Sequence, residues 1–178
     1  MPRLNAVTTE QANGRVRELY DGLKKVVGVV PNIYQGVANS PAALEVLLGM
    51  GAKLREGGLS GAETEAVKLV VAQVYCCNYC LAAHTLVGKK SGLSEADTIA
   101  IRRGTIAEPR LAALTRFANK AVLPAGQISD EDLRAIRAAG FDDGKITDIL
   151  MVLAQTVFTT LFNRVNQTEI DFPPAPSL

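Results

Sequence analysis

Tryptophan is absent from the 178 residues, and aromatic side chains make up only 5% of them. A buried core must therefore rest on Ala, Leu, Val and Ile, a composition that leans helical. No run of eighteen apolar residues is present, so no membrane span and no membrane partner are expected. The opening Met-Pro-Arg-Leu-Asn-Ala carries no apolar signal core, so the expected setting is the cytoplasm. Neither charge dominates: 19 basic residues face 18 acidic ones, and no basic block could track phosphates, which argues against nucleic acid as a partner. Nothing alternates at period two to build a sheet, and the βαβ pattern that a thioredoxin-like fold needs is missing. Histidine occurs once and cysteine three times, too few for a structural disulfide framework.

What is there is concentrated in residues 65 to 84. Cys77 and Cys80 form a Cys-X-X-Cys pair, and His84 follows Cys80 by four residues. In a helix these three positions share one face. In a reducing compartment such a pair points to catalysis, redox exchange or metal binding. A thiol near a helix N-terminus or beside an imidazole is held more readily as thiolate, its reactive form. Cys76 falls off that face and reads as a packing residue, with a spare thiol as the alternative. Glu65 taken alone reads as an exposed helix residue, and twelve residues separate it from Cys77. Only a chain reversal could bring the two together.

The remaining chain reads as helices with identifiable starts and stops. Thr8 or Thr9 caps a first helix carrying Val16, Leu19, Tyr20 and Leu23, closed by Gly28 and Pro31. A short helix follows Pro31-Asn32. Ser40-Pro41 starts a third, running toward Gly57-Gly58. Ser60 with Glu63 is a capping box opening a valine-rich helix, with a buried strand over 67 to 76 as the competing reading. A break at Tyr75 to Asn78 precedes a helix to Lys90 that places the cysteine pair at its N-terminal end. Ser94, Glu108-Pro109 and Ser129 open three more, with a linker at Pro124 to Gln127. The last helix spans about Asp143 to Asn166, and its broad apolar face suits a bundle core or a subunit interface. The proline-rich tail after Asp171 is expected to be extended. One all-α domain, a multi-helix bundle over residues 1–178, is the expected organisation.

Each candidate residue also has a bland reading: the cysteines as small buried hydrophobes, His84 as a hydrogen-bonded core residue. The combined spacing favours chemistry instead. A zinc site of Cys77, Cys80, His84 and Glu65 is a further reading. Against it, structural zinc sites usually draw a second Cys/His pair from elsewhere, and no other histidine exists.

The stretch Cys-Asn-Tyr-Cys-Leu-Ala-Ala-His-Thr, preceded by Glu65, resembles the alkylhydroperoxidase D-like branch of the carboxymuconolactone decarboxylase superfamily. The likeness is tight over residues 60 to 95. It extends more loosely through Asn39-Ser40-Pro41 and the ending Phe-Asn-Arg-Val-Asn-Gln-Thr-Glu-Ile-Asp-Phe-Pro, in the manner of the uncharacterised peroxidase-related branch. The resemblance implies an all-helical fold, assembly into dimers, trimers or hexamers, and thiol-dependent reduction of alkyl hydroperoxides without a cofactor or metal. It further implies Cys80 as the peroxide-attacking thiol, Cys77 as its resolving partner, His84 and Glu65 as proton relay, and an external dithiol or protein reductant. Tyr79 stands where well-studied members carry histidine. A phenol donates a hydrogen bond but shuttles protons poorly near neutral pH, so Tyr79 is expected to be auxiliary. Lactone decarboxylation is disfavoured, because the decarboxylase namesakes generally lack the cysteine pair.

Overall fold

Short polar residues ahead of apolar-periodic segments set most of the helix starts. The computed structural model describes residues 1–123 and 126–178, and among the described residues there are nine α-helices and no strand. They are α1 (Gly14–Val27), α2 (Asn32–Val37), α3 (Pro41–Leu54), α4 (Gly61–Val74), α5 (Asn78–Lys90), α6 (Glu95–Arg103), α7 (Pro109–Val122), α8 (Asp130–Ala138) and α9 (Asp143–Asn166). Ser60, Ser94 and Ser129 each close a capping box, and Ser40 caps α3 ahead of Pro41. Such caps are worth about 1 kcal/mol each. The box at Ser60 settles residues 67–74 as helix despite their valines, so the strand reading is not realised.

Two expectations are corrected. The first helix begins at Gly14, not after Thr8 or Thr9. Thr8 closes a separate turn, taking hydrogen bonds from Ala12 N at 3.0 Å and Gln11 N at 3.3 Å. The left-handed backbone of Gly14 (φ 46°) then prevents α1 from extending back into that turn. The second correction is that α3 stops at Leu54, short of the two glycines; Gly58 N instead donates to the Asp148 carboxylate of α9 at 2.8 Å. Helix α9 is, by length and composition, long and apolar enough to cross a membrane, with a mean hydropathy of 1.4 over its most apolar window. A third of that window is buried inside the fold, so core packing explains part of its apolarity. The linker expected at 124–127 includes residues 124–125, which lie outside the described residues.

Helix α4 is the hub, packing against α5, α6, α7 and α9. Two apolar cores meet on it. In one, Val67, Leu69, Val70 and Val71 join Leu114 and Phe117 of α7 and Ile149 and Val152 of α9. In the other, Ala72 joins Tyr20, Ile33, Val37, Leu44 and Leu47 from α1 to α3, and here the chain buries Cys77, Tyr79 and Cys80. Gly36 lets α2 lie close on α9: a Cβ there would stand 2.9 Å from the Phe162 ring. The cysteine pair is thus enclosed between α2, α4 and α9. The tail after α9 is extended, as expected, and Phe172 meets the Tyr79 ring edge-on with centroids 5.5 Å apart.

Candidate active site

The chain leaves α4 through a tight reversal. Cys76 takes the left-handed conformation (φ 53°), and Cys77 N donates to Ala72 O at 2.9 Å. That turn makes Cys77 the N-cap of α5, where its Sγ accepts the Cys80 amide at 3.3 Å. Cys77 and Cys80 are joined as a disulfide, with Cα atoms 5.3 Å apart. Their exposures are only 3% and 2%. Cys76 is a free, exposed thiol, so the packing role expected of it is incorrect and the alternative of a spare thiol holds. Its place in the turn, ahead of the first helical residue, turns it out toward solvent.

The reversal lays α5 back along α4 and brings Glu65 to His84. Gly88, one turn beyond His84, packs beside Glu65 and Leu93: a Cβ there would make ordinary contact with Glu65 Cβ at 3.6 Å and crowd a Leu93 methyl at 3.2 Å. His84 Nδ1 and Glu65 Oε2 are 2.8 Å apart, and Lys68 Nζ donates to Glu65 Oε1 at 2.8 Å. Glu65 is only 4% exposed, not the exposed helix residue its context suggested. Burial pushes its carboxyl upward, but His84 and Lys68 outweigh that and hold it down at about 2. A carboxylate has no proton to give, so Nδ1 carries the hydrogen of this bond, and Nε2 is the nitrogen left for proton exchange. Tyr34 of α2 completes this corner. Burial, and then the Glu65 carboxylate, raise its phenol.

The opposite side of Cys80 faces α9. Thr160 Oγ1 lies 3.4 Å from Cys80 Sγ, and Asn163 Nδ2 donates to the same sulfur at 3.5 Å. A disulfide sulfur has no hydrogen, so Thr160 is the donor. Both residues are buried. Two buried polar atoms among the described residues have no partner, Thr85 Oγ1 and Asn163 Oδ1. Tyr79 turns its hydroxyl the other way, where it accepts the Ile33 amide at 3.2 Å. Burial, and Asp171 nearby, push its phenol well above the usual range. That commitment to α2 and the tail fits a support rather than a proton carrier.

Of the five residues singled out from sequence, the fold therefore joins Cys77 to Cys80, joins Glu65 to His84, and anchors Tyr79 elsewhere. Sequence reasoning missed Lys68, Tyr34, Thr160 and Asn163. Lys68 was signalled by its i,i+3 spacing from Glu65. Thr156, Thr160, Asn163 and Asn166 form a polar stripe on a buried face of an otherwise apolar helix, the signal that marks the other two. Among the described residues no three His, Cys, Asp or Glu side chains converge where a metal ion could sit, so the zinc arrangement finds no support. A cleft of about 290 Å³ between α4, α6 and α7, lined by Gln73, Arg102 and Arg116, lies apart from the cysteines.

An all-helical fold with a buried Cys-X-X-Cys disulfide beside a His–Glu pair defines the class. Residues 36–123 match the model of the Carboxymuconolactone decarboxylase family, the family that the sequence resemblance implied. Among solved structures, it is similar to the alkylhydroperoxidase AhpD core of Ralstonia eutropha JMP134, an uncharacterized peroxidase-related protein, at 20% identity and a TM-score of 0.85, covering 96% of this chain and 92% of that one. An uncharacterized peroxidase-related protein from Silicibacter sp. TM1040 aligns at 24% identity and a TM-score of 0.71, covering 89% and 83%. The debrominase Bmp8, in complex with 2,3,4-tribromopyrrole, aligns at 12% identity and a TM-score of 0.81, covering 95% and 91%. Identities this low carry the fold alone. No curated protein matches the sequence.

Proposed function

We propose that this protein is a thiol-dependent peroxidase that reduces alkyl hydroperoxides in the cytoplasm, acting as one functional domain over residues 1–178. The observation that carries the reading is the juxtaposition of two elements on α5: a disulfide-forming pair at its N-terminus, and an imidazole one turn on, backed by a buried carboxylate. Cys80 passes its thiol proton to His84 Nε2, and the resulting thiolate attacks the terminal oxygen of ROOH. The O–O bond breaks, an S–O bond forms, and the sulfur becomes sulfenic acid. The departing RO⁻ takes a proton from His84 Nε2 and leaves as ROH. Cys77 then gives up its thiol proton to His84 Nε2 and attacks the sulfenic sulfur; the S–O bond breaks, the S–S bond forms, and the departing hydroxide takes that proton as water. An external dithiol or protein reductant restores both thiols by exchange. No cofactor enters this cycle.

A second reading is a redox sensor or disulfide-exchange protein without fast turnover. The burial of both sulfurs favours its slow turnover, since re-reduction by exchange needs access to a sulfur. One titration separates the two. Reduced protein treated with one equivalent of cumene hydroperoxide should lose two thiols, with the mass shift locating Cys77–Cys80, and a dithiol should then sustain repeated turnover. One round of oxidation without turnover supports the sensor. Unchanged thiols sink both. Because a fold neighbour is a debrominase, a brominated pyrrole belongs in the same assay as an alternative oxidant.

The assembly is proposed to be a homo-oligomer, the dimer, trimer or hexamer that the family resemblance implies. Met151, Phe158, Leu161 and Val165 form an exposed apolar stripe along α9, and a second copy would cover it. Light scattering should give a mass that is a multiple of 18.9 kDa; a single-chain mass at micromolar concentration would reject the assembly.

A further inference from the structure

We propose that Thr160 and Asn163 form a two-sided cradle for the Cys80 sulfur, holding its anionic form with two donors and orienting the incoming hydroperoxide with the free oxygen of Asn163. The inference rests on the peroxidase reading for its second half only. Three observations carry it. The Thr160 hydroxyl and the Asn163 amide approach one sulfur at 3.4 and 3.5 Å. Both side chains are almost wholly buried, at 0% and 5% exposure, on the stripe of α9 that faces the second core. Asn163 Oδ1 is buried and has no partner.

A buried amide oxygen without a partner costs about 1–3 kcal/mol. An arrangement that retains this cost beside a reactive sulfur is explained by a ligand that supplies the missing donor. A hydroperoxide supplies one. The oxygen that Cys80 attacks is the one bearing hydrogen, and an O–H donated to Asn163 Oδ1 would hold that oxygen next to the sulfur. When the thiolate attacks, sulfur is oxidised by two electrons, the peroxide is reduced, and RO⁻ departs to take its proton from His84. The hydroxyl left on sulfur continues to donate to Asn163 Oδ1. The same amide therefore serves both sides of the step, its N–H on the thiolate and its oxygen on the transferred hydroxyl. Thr160 contributes to the thiolate only.

The test uses the full chain with Cys76→Ser and Cys77→Ser, which leaves Cys80 as the one thiol; serine is also a competent N-cap for α5. The titratable and charged groups around the site, His84, Glu65 and Lys68 from α5 and α4 and Tyr34 and Tyr79 beyond them, are the same in every variant. Thiolate absorbance against pH and the rate of iodoacetamide alkylation are read first. Thr160→Val and Asn163→Leu should each move the midpoint up by about one pH unit, slowing alkylation at neutral pH about tenfold, and Thr160→Ser should restore it. Rates are then compared well above the midpoints, where Cys80 is fully ionised in every variant. Alkylation should recover in both. Oxidation by cumene hydroperoxide should recover in Thr160→Val and stay about tenfold slow in Asn163→Leu, the size expected for loss of one hydrogen bond to a reacting group. Unmoved midpoints in folded variants overturn the donor role, and full recovery of the hydroperoxide rate in Asn163→Leu overturns the orienting role. If the parent protein itself fails to react with hydroperoxide, the peroxidase reading falls, while the midpoints still decide whether the cradle holds the thiolate.

Discussion

Cys80→Ser should abolish hydroperoxide turnover while leaving the fold intact. The change is one atom, the site already seats a small polar group, and Thr160 and Asn163 can hydrogen-bond a serine hydroxyl as they do the sulfur. A serine hydroxyl does not ionise near neutral pH and does not form the sulfenic acid, so the expected rate is that of the uncatalysed reaction. Cys77→Ser separates the two cysteines. It should allow one stoichiometric oxidation of Cys80, visible as a sulfenic acid by mass spectrometry, and block disulfide closure and every later turnover. The structure also supports the opposite order of attack. Cys77 is the N-cap of α5 and accepts a backbone amide there, a position that favours thiolate on electrostatic grounds. If Cys80→Ser retains one round of oxidation and Cys77→Ser loses it, the two roles are exchanged. Full turnover in Cys80→Ser would remove the peroxidase assignment altogether. The exposed Cys76 serves as the control, because it lies outside the proposed cycle and Cys76→Ser should leave turnover near the wild-type value.

The legibility of this site from sequence was uneven, for physical reasons. The pairing of Cys77 with Cys80 was readable because it is local: three residues on a helix N-terminus give one geometry. Helix starts were readable wherever a side chain supplied the cap, at Ser40, Ser60, Ser94 and Ser129. Where the start depended on backbone conformation instead, as at Gly14, the reading placed the helix too early. The Glu65–His84 contact depends on the chain reversal at Cys76, which has no periodic signature. Only the family resemblance suggested it. The α9 contacts to Cys80 were missed because eighty residues separate Thr160 from the sulfur it touches. The burial of Cys77 and Cys80 was likewise invisible, since it arises from helices elsewhere in the chain closing over them.

Glu65→Gln is expected to be the most informative change outside the thiols, since it alters stability and activity with different pH signatures. The Glu65 carboxyl sits at about 2 in the folded chain against an ordinary value of 4.5, despite the opposing effect of burial. Between those values the unfolded chain binds the proton more tightly. The ion pair's contribution is therefore fully present above about pH 4.5 and is lost as pH falls toward 2. A difference of that size is worth about 3 kcal/mol. Lys68 is one-fifth exposed and can turn its ammonium to water when the carboxylate is gone, which softens the loss. The variant should be less stable than wild type by about 2–3 kcal/mol at neutral pH. The gap should close as both proteins are acidified, because the charged partner that the variant lacks is by then protonated in wild type too. Other depressed carboxylates, Glu63 and Asp132 among them, destabilise both proteins alike at low pH and cancel in the comparison. Activity should fall as well. The amide that replaces the carboxylate has one acceptor oxygen for two donors, Lys68 Nζ and His84 Nδ1, and no charge to stabilise the protonated ring. Nε2 then takes the thiol proton and passes it to the departing RO⁻ less well, and a loss of about 10²-fold is expected of a disabled general acid. A stability gap that closes on acidification while hydroperoxide turnover stays at the wild-type rate would make Glu65 and His84 a structural ion pair between α4 and α5. The relay assigned to them would then have to be sought in Tyr34 or in solvent.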